Sequence, residues 1–256
     1  MTDAKEQAED FRRRAIEAKL AGMDDRPGPA AAAIPTGFPA LDRSLGTGGL
    51  PRSAISEVFG PPSSGKTTLA LQWVAHMQAS GLVAAWIDAD HTFDPAYAAA
   101  LGVAIENLPV ACPESAEQAL EMAGRLVSSG AVDAVVVDSA AALAPRLEIN
   151  SMVSPGEGLQ SRVLASGLKA LARAVRRSDA AVLFVNQTRH RMNPSEGEAE
   201  TSAGGPPLKM YAVLRLVLEP VDERTVRFHT LKNKAAAAFQ EGKLRRGDAL
   251  GFAKTP

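Results

Sequence analysis

One nine-residue stretch constrains the fold of this chain more than any other feature. It reads Gly60-Pro-Pro-Ser-Ser-Gly65-Lys66-Thr67-Thr68, the phosphate-loop pattern of two glycines five residues apart followed by lysine and a hydroxyl residue. An apolar run at 53–59 precedes it and a helical run at 69–77 follows it. The loop therefore opens onto a helix N-terminus, where backbone amides and the helix dipole favour an anion. This arrangement predicts a nucleoside triphosphate site.

The residue types of the loop predict a role for each position. Its backbone amides would surround a phosphate, Lys66 would reach the outer phosphate oxygens, and Thr67 would hold Mg²⁺. An ordinary Gly/Ser turn with an exposed lysine is the alternative, but it does not account for the flanking strand and helix. We expect the nucleotide-binding residues of the loop to be Gly60, Pro61, Ser63, Ser64, Gly65, Lys66, Thr67 and Thr68.

Composition limits the class of protein. The 256 residues are 46% hydrophobic, which is enough for one sizeable core or one core with an appendage. The net charge of -1 argues against a protein that binds nucleic acid over its whole surface, so any such contact has to come from local basic loops. The single cysteine, Cys112, fits a reducing cytosol. We expect a cytoplasmic protein without a signal peptide or a membrane span.

Strands and helices alternate along most of the chain. Apolar strands are predicted at 82–88, 134–138 and 181–186. Helical runs separate them, and the clearest of these covers 159–177. Two last strands, at 211–218 and 224–231, are close enough in sequence to form an antiparallel hairpin. We predict an α/β fold with a mostly parallel, twisted sheet, helices on both faces and an extension by that hairpin.

The N-terminal segment has a different character. A charged amphipathic helix is predicted at 3–20, and a Pro/Ala-rich linker follows it at 21–35. A lone amphipathic helix needs a surface to pack on. The pattern fits equally a helix that folds back on its own domain and one that docks on a neighbouring subunit.

Carboxylates follow two of the predicted strands. The run Ala134-Val-Val-Val ends in Asp138, the position that supports Mg²⁺ opposite a phosphate loop. Asp88 and Asp90 lie at the end of the strand at 82–88, and either could orient the water that attacks a γ-phosphate. The alternative for Asp88 and Asp90 is that they only cap a helix or interact with solvent in a loop.

Amide and basic side chains mark two further strand ends. Gln187 begins a long polar loop, 187–207, where its amide could sense the γ-phosphate, although a solvated glutamine is the simpler interpretation. Lys232 and Lys234 end the last strand, either as a solvated tip or as fingers that stabilise charge.

Metal and DNA signals elsewhere are weaker. Arg189-His190-Arg191 is a small basic patch suited to a phosphate backbone. The scattered histidines and the single cysteine lack ligand spacing, so a zinc site is not expected.

Taken together, these motifs resemble those of the bacterial RecA recombinase family over the range from Ile34 to about Phe239. The combination is highly specific. The matching segments are Ile34-Pro-Thr-Gly, Leu45-Gly-Thr-Gly-Gly-Leu-Pro, the phosphate loop, Ile87-Asp-Ala-Asp-His, Asp94-Pro-Ala-Tyr97, Ser129-Gly-Ala-Val-Asp, Val136-Val-Asp-Ser139-Ala-Ala-Ala-Leu, Asn186-Gln-Thr-Arg189, Gly204-Gly205, Leu208-Lys209 and Lys232-Asn-Lys234.

The resemblance implies ATP and Mg²⁺ as cofactors, with Asp94 and Tyr97 against the adenine. It implies that Gln187 couples the nucleotide to a second DNA loop, and that Lys232 and Lys234 reach the ATP of the next subunit, so that hydrolysis requires a filament. The N-terminal helix would then dock on the neighbour. The implied catalytic residues are Lys66, Asp90, Gln187, Lys232 and Lys234.

The resemblance also implies a division of the chain and a set of DNA contacts. An N-terminal helix and linker would cover 1–33, a RecA-like ATPase core 34–240, and a divergent tail 241–256. We expect the family's C-terminal domain to be missing. The expected contacts to single-stranded DNA come from Arg162 in a first DNA loop and from Arg189, Arg191, Gly204 and Gly205 in the second.

Some positions depart from the family pattern. Asp90 stands where the family has a catalytic glutamate one methylene longer, and a carboxylate drawn back by about a bond length positions water poorly. This departure predicts that ATP is bound but hydrolysed slowly. Glu157 and Glu196 replace an apolar and an aromatic position of the DNA loops, and Glu198 and Glu200 add further negative charge.

Three functions remain open on the sequence. The first is an ATP-dependent, self-associating DNA-binding protein of recombinational repair, which the intact phosphate loop favours. The second is an accessory protein of the ImuA type, which binds RecA or translesion polymerase components without strand exchange and which the acidic DNA loops favour. An unrelated phosphoryl-transfer enzyme is the third, but we identify no small-molecule pocket for it.

Overall fold

The computed structural model describes residues 33–150, 158–190, 200–247 and 250–254. The strands are β1 (Ala33–Ile34), β2 (Leu50–Pro51), β3 (Ile55–Gly60), β4 (Ala84–Asp88), β5 (Val110–Ala111), β6 (Ala134–Asp138), β7 (Ala181–His190), β8 (Glu200–Ser202), β9 (Leu214–Pro220), β10 (Thr225–Asn233) and β11 (Glu241–Arg245). The α-helices are α1 (Pro39–Leu45), α2 (Lys66–Ala79), α3 (Pro95–Ala100), α4 (Ala116–Ser129), α5 (Arg146–Asn150), α6 (Leu159–Arg176) and α7 (Pro206–Tyr211).

A single large sheet organises these elements. Its strands follow the order β11-β10-β9-β3-β7-β6-β4-β5, and β8 pairs with the end of β7. The pairs from β9 through β5 are parallel, whereas β10 and β11 are antiparallel additions at one edge. β3 lies between β7 and β9 and is buried along its whole length. The loop that follows β3 is therefore held by the centre of the sheet.

Helices cover both faces of the sheet because successive strand side chains point to opposite sides. Val58 of β3 belongs to the apolar cluster under α2, and Ile55 belongs to the cluster under α4 and α6. Helix α6 carries Leu164, Leu168, Leu171 and Val175 on its buried stripe, a spacing of three and four residues that keeps them on one face.

The predicted α/β fold is confirmed, including the antiparallel pair at the edge of the sheet. The hairpin strands are shifted, because 206–211 forms α7 and the first strand begins only at Leu214. Pro206 at the first helical position pre-sets the backbone for a helix there.

The polar loop predicted at 187–207 is shorter than expected. β7 continues to His190 because β8 pairs with it in antiparallel register, with Thr188 opposite Ser202. Residues 191–199 lie outside the described residues, as does the helix predicted at 3–20.

The segment expected as a divergent tail contributes to the fold. β11 pairs with β10, and the buried Phe252 packs edge-on against Phe38 with ring centroids 6.2 Å apart. The side chain of Gln72 on α2 accepts from the Phe252 amide at 2.7 Å and donates to its carbonyl at 2.9 Å. Within the described ranges, no helix is long and apolar enough to cross a membrane.

Candidate functional site

The phosphate loop lies where the central strand β3 turns into helix α2. Gly60 has no room for a side chain, because a Cβ there would overlap the carbonyl oxygen of Leu218 on β9. Gly65 caps the helix with φ +90°, a conformation that glycine adopts readily. Gly65, the N-cap residue, has no side chain that could cap the first amides of α2. Those amides are consequently available to an anion, as the motif predicts.

Lys66 is buried beside this loop. Its Nζ donates to the Pro61 carbonyl at 2.7 Å and to the Ser64 hydroxyl at 3.3 Å. Burial lowers the pKa of Lys66 below its usual range, and the negative charge of Asp138 opposes that shift. The ammonium is thus held over the loop that the sequence assigns to phosphate.

Thr67 of α2 and Asp138 at the end of β6 are in contact. The Thr67 hydroxyl donates to Asp138 Oδ2 at 2.8 Å. Burial raises the pKa of Asp138 to about 6, the charges of Asp90 and Asp88 add to the rise, and the Thr67 hydrogen bond and the charge of Lys66 oppose it. A buried carboxylate among other carboxylates gains from an added cation.

These two oxygen donors fit magnesium, which binds proteins through one or two carboxylates and keeps phosphate and water ligands. Within the part of the chain that the structure describes, no group of three or more His, Cys, Asp or Glu side chains could hold a metal ion. A magnesium ion held by Thr67 and Asp138 would therefore depend on the nucleotide for further ligands.

The two carboxylates at the end of β4 have different partners. Both oxygens of Asp88 accept backbone amides of the following loop, from Thr92 at 3.1 Å and from Phe93 at 2.9 Å. Asp90 Oδ1 accepts from the Ser139 hydroxyl at 3.0 Å and lies next to Asp138. Asp88 therefore holds the loop, and Asp90 is the carboxylate available at the magnesium side of the site. A cis peptide bond joins Asp138 to Ser139.

A cavity of about 300 Å³ adjoins the phosphate loop on its other side. Tyr97 lines it, and the Tyr97 hydroxyl is 2.7 Å from the Thr68 hydroxyl. Asp94 lies at the N-cap of α3, where its carboxylate accepts from the amides of Ala96 and Tyr97. The structure therefore brings Tyr97 to the cavity and uses the Asp94 side chain to begin the helix that carries it.

Residues of the tail form the opposite wall of this cavity. Arg246 and Phe252 line it, and Arg246 Nη2 donates to the Ser63 carbonyl in the phosphate loop at 2.7 Å. The Phe252 ring lies directly against Gly65. Sequence reasoning missed these residues because the tail carries no motif, and it missed Gln72 of α2, which bonds to that tail. A short apolar-polar alternation at 241–245 was the available signal.

Gln187 lies beside the phosphate loop. Parallel pairing of β3 with β7 places Gly60 opposite Gln187. The backbone amide of Gln187 donates to the Asn186 side-chain oxygen at 2.8 Å. The backbone carbonyl of Gln187 accepts from the backbone amide of Ala203 at 2.9 Å. Gln187 is exposed, is level with the first residue of the phosphate loop, and immediately precedes Thr188, where the pairing with β8 begins.

The described parts of the two expected DNA loops meet at the first turns of α6. Arg162 is exposed there. Gly204 and Gly205 have φ values of +79° and +74°, and they pack against Leu164 and Ser161 of the same helix. Arg189 lies on β7, and Arg191 falls outside the described residues.

Lys232 and Lys234 lie at the end of β10 that is level with the first half of β3, before the phosphate loop. Lys232 is level with Arg215 of β9 and Glu57 of β3, toward the start of β3, whereas the loop follows its end. Lys232 Nζ donates to the carbonyls of Lys209 at 2.7 Å and Met210 at 3.2 Å, at the end of α7. Burial lowers the pKa of Lys232 below its usual range, and the charges of Lys234 and Arg215 add to this effect.

Comparison with known proteins agrees with this geometry. The family model of the RecA N-terminal domain matches residues 9–246. The chain is 46% identical over 230 residues to RecA of Rubrobacter xylanophilus, covering 86% of this chain and 67% of the relative. It is 48% identical over 219 residues to RecA of Symbiobacterium thermophilum (81% and 62%), and 42% identical over 260 residues to RecA of Caulobacter vibrioides (93% and 72%). The chain thus spans about two thirds of the length of these curated relatives.

Proposed function

The chain belongs to the RecA family, and from that premise we propose that it acts in recombinational DNA repair as an ATPase that binds single-stranded DNA when ATP is bound. One observation carries the proposal. The first residue of the phosphate loop, Gly60, pairs with Gln187, and the strand of Gln187 continues into the segment with Arg189 and Arg191. A change at the phosphate site therefore has a short path to the expected DNA contacts.

The residues of the site would share the work as follows. The amides after Gly60 and the Lys66 ammonium bind the phosphates, and the cavity beside Tyr97 takes the base. Thr67 and Asp138 would hold Mg²⁺, which would supply positive charge to the phosphate oxygens. Asp90 orients the attacking water, with Ser139 fixing one of its oxygens. Because Asp90 is shorter than a glutamate, we expect slow hydrolysis.

Self-association is part of the proposal. Lys232 and Lys234 lie at the end of β10 that is level with the first half of β3 rather than with the phosphate loop, and we therefore propose that they act on a nucleotide held by another copy. We propose that residues 34–240 form the ATPase core, that 1–33 dock on the neighbouring copy, and that 241–256 complete the base side of the site. A filament or a smaller oligomer satisfies this arrangement.

Lys66→Ala tests the nucleotide site. We expect the affinity for Mg²⁺ and an ATP analogue, measured by titration calorimetry, to fall at least about 100-fold, since a buried ammonium bonded to phosphate is lost. Lys169→Ala, an exposed lysine on α6, is the matched control and should leave the affinity unchanged. Equal affinities for Lys66→Ala and the parent would refute the site.

Acidic residues favour a second function. Glu157, Glu196, Glu198 and Glu200 place negative charge in the segments expected to contact DNA. The alternative is an accessory role in SOS mutagenesis, in which the chain binds RecA or translesion polymerase components without strand exchange. Turnover of ATP with and without single-stranded DNA separates the two. Strong stimulation together with strand pairing supports the recombination role, and nucleotide binding without a DNA response supports the accessory role.

A further inference from the structure

A cluster of four buried polar side chains lies within the sheet, before the phosphate loop along β3 and on the face covered by α4 and α6. Glu57 of β3, Asn186 of β7, Ser202 of β8 and Arg215 of β9 form it, and we call it the buried polar cluster. Arg215 Nε donates to Glu57 Oε2 at 2.6 Å, and Asn186 Nδ2 donates to Glu57 Oε1 at 2.8 Å. Arg215 Nη2 donates to the Ser202 hydroxyl at 3.1 Å. None of these side chains has a role in the nucleotide site as described above.

The cluster holds both ends of the segment expected to contact DNA. At the first end, Asn186 Oδ1 accepts the Gln187 amide at 2.8 Å. At the second end, Arg215 binds Ser202, and Asn186 Nδ2 also donates to the Ala203 carbonyl at 3.0 Å. The strands between these anchors are themselves paired, with Thr188 opposite Ser202. The direction in which both strands leave the sheet therefore depends on the position of Glu57 and Arg215.

The same cluster touches the strand that leads into the phosphate loop. Glu57 precedes Gly60 by three residues on β3, and the Arg215 guanidinium lies over the ring of Phe59, 4.7 Å from its centroid. A planar guanidinium can stack on a ring and donate to two groups at once, whereas an ammonium cannot keep that fork geometry. Arg215 thereby connects β3, β8 and β9 through one rigid group.

Stability alone does not account for this arrangement. A buried ion pair is often no better for stability than well-packed apolar side chains of the same volume. The pair does, however, impose a defined geometry on the strands that it joins. Glu57 is fully buried in a strand that is otherwise suited to an apolar core. A role in fixing the relative positions of the strands therefore explains the pair better than stability does.

We propose that Arg215 and Glu57 are positioning residues that set the two ends of the 188–202 segment according to the state of the phosphate loop. This inference rests on the proposed function, because it takes nucleotide and DNA as the two ligands. A shift of β3 on nucleotide binding moves Glu57, and Arg215 and Asn186 carry that shift to Ser202 and Gln187.

Arg215→Lys tests the proposal with the positive charge kept. A lysine can pair with Glu57 but cannot also hold Ser202 and stack on Phe59. The matched control is Arg52→Lys, an arginine that pairs with Asp133 at 3.0 Å and with the Asp179 carbonyl at 2.8 Å, at the other end of the sheet.

Two readouts are compared for parent, variant and control. The first is amide hydrogen exchange at residues 200–205 with Mg²⁺ and either ADP or ATPγS. The second is the ratio of the dissociation constants of an oligo-dT strand with those two nucleotides.

We expect the parent and Arg52→Lys to show nucleotide-dependent exchange at 200–205 and tighter oligo-dT binding with ATPγS. In Arg215→Lys the exchange difference should disappear and the ratio should fall by about fivefold or more, the lower end of typical coupling between two sites. Nucleotide affinity without DNA should stay within about twofold of the parent, because the fork of Arg215 is not part of the nucleotide site.

These measurements distinguish a failure of the proposed function from a failure of the inference about Arg215 and Glu57. If the parent binds no nucleotide, the proposed function fails and this inference fails with it. If the parent couples nucleotide to DNA and Arg215→Lys couples them equally, only this inference is overturned. A loss of thermal stability in Arg215→Lys with unchanged coupling also overturns it, since the cluster would then be purely structural.

Discussion

Two buried carboxylates of one sheet, Asp138 and Glu57, have opposite surroundings. Asp138 ends β6, receives a single hydroxyl from Thr67 and has Asp88 and Asp90 as neighbouring charges. Glu57 lies within β3 and is bonded by the Arg215 guanidinium and by the Asn186 amide. Among the residues that the structure describes, Lys66 is the cation whose charge acts on Asp138, and its ammonium donates to the phosphate loop instead.

This difference in surroundings indicates different roles for the two carboxylates: Asp138 can accept an added cation, whereas Glu57 connects strands. A buried carboxylate that is not paired costs free energy when it ionises, and an added cation recovers that cost. Under the proposed function, the cation that recovers this cost at Asp138 is magnesium. Glu57 already has its cation within the chain, so it has no capacity left for a ligand and serves to connect strands.

Removing one charge from the paired carboxylate should have the largest effect. Glu57→Gln leaves the Arg215 guanidinium buried and unpaired, which should lower the free energy of unfolding by about 3–5 kcal/mol. Urea denaturation measures this change. The double variant Glu57→Gln/Arg215→Met removes both charges and should recover most of the loss. A double variant as unstable as the single one would show that the pair is not the cause.

Neutralising the unpaired carboxylate, Asp138, should instead raise the free energy of unfolding. The pKa of Asp138 is raised from 3.8 to about 6, so the folded state keeps a proton that the unfolded state has lost between these values. The parent therefore loses stability as the pH rises from about 4 to about 6, by up to about 3 kcal/mol. Asp138→Asn does not titrate and escapes this loss.

We accordingly expect Asp138→Asn to be more stable than the parent at pH 7.5 and nearly equal to it near pH 4, by denaturant unfolding without magnesium. Affinity for Mg²⁺ with an ATP analogue should fall in the same variant. Asp133→Asn, at the opposite end of β6, is the control. A stability difference that does not change with pH would contradict the raised pKa.

The smallest expected effect concerns the neighbour of Asp138. Asp90→Glu extends the carboxylate by one methylene and should raise ATP turnover by about 10-fold or more, because a misplaced base costs up to about 10²-fold. Steady-state turnover with magnesium and single-stranded DNA measures it. Asp94→Glu, at the N-cap of α3, should not raise turnover. If Asp90→Glu shows no gain, the length of Asp90 does not limit hydrolysis.

The motif at 60–68 predicted its own structure well because its function depends on local backbone geometry. Gly60 and Gly65 are required by a close strand and by a left-handed turn, and both requirements are visible as glycines in the sequence. The position of Asp138 beside Thr67 was predictable for a similar reason, since a carboxylate after an apolar strand lies at the same sheet edge as the loop. The family resemblance pointed to Asp90, whereas the residues alone did not separate Asp88 from Asp90, because the difference depends on which backbone amides lie nearby.

The chain's sequence determined the phosphate loop, the alternation of strands and helices, and the family, since each is carried by residues close together along the chain. Only the tertiary structure showed that Arg246 and Phe252 contact the phosphate loop and that Arg215 bonds both Glu57 and Ser202. Glu57 and Arg215 are 158 residues apart in sequence and meet only because β3 and β9 are neighbours in the sheet. Contacts of that kind depend on strand order and register, which no local pattern of residue types specifies.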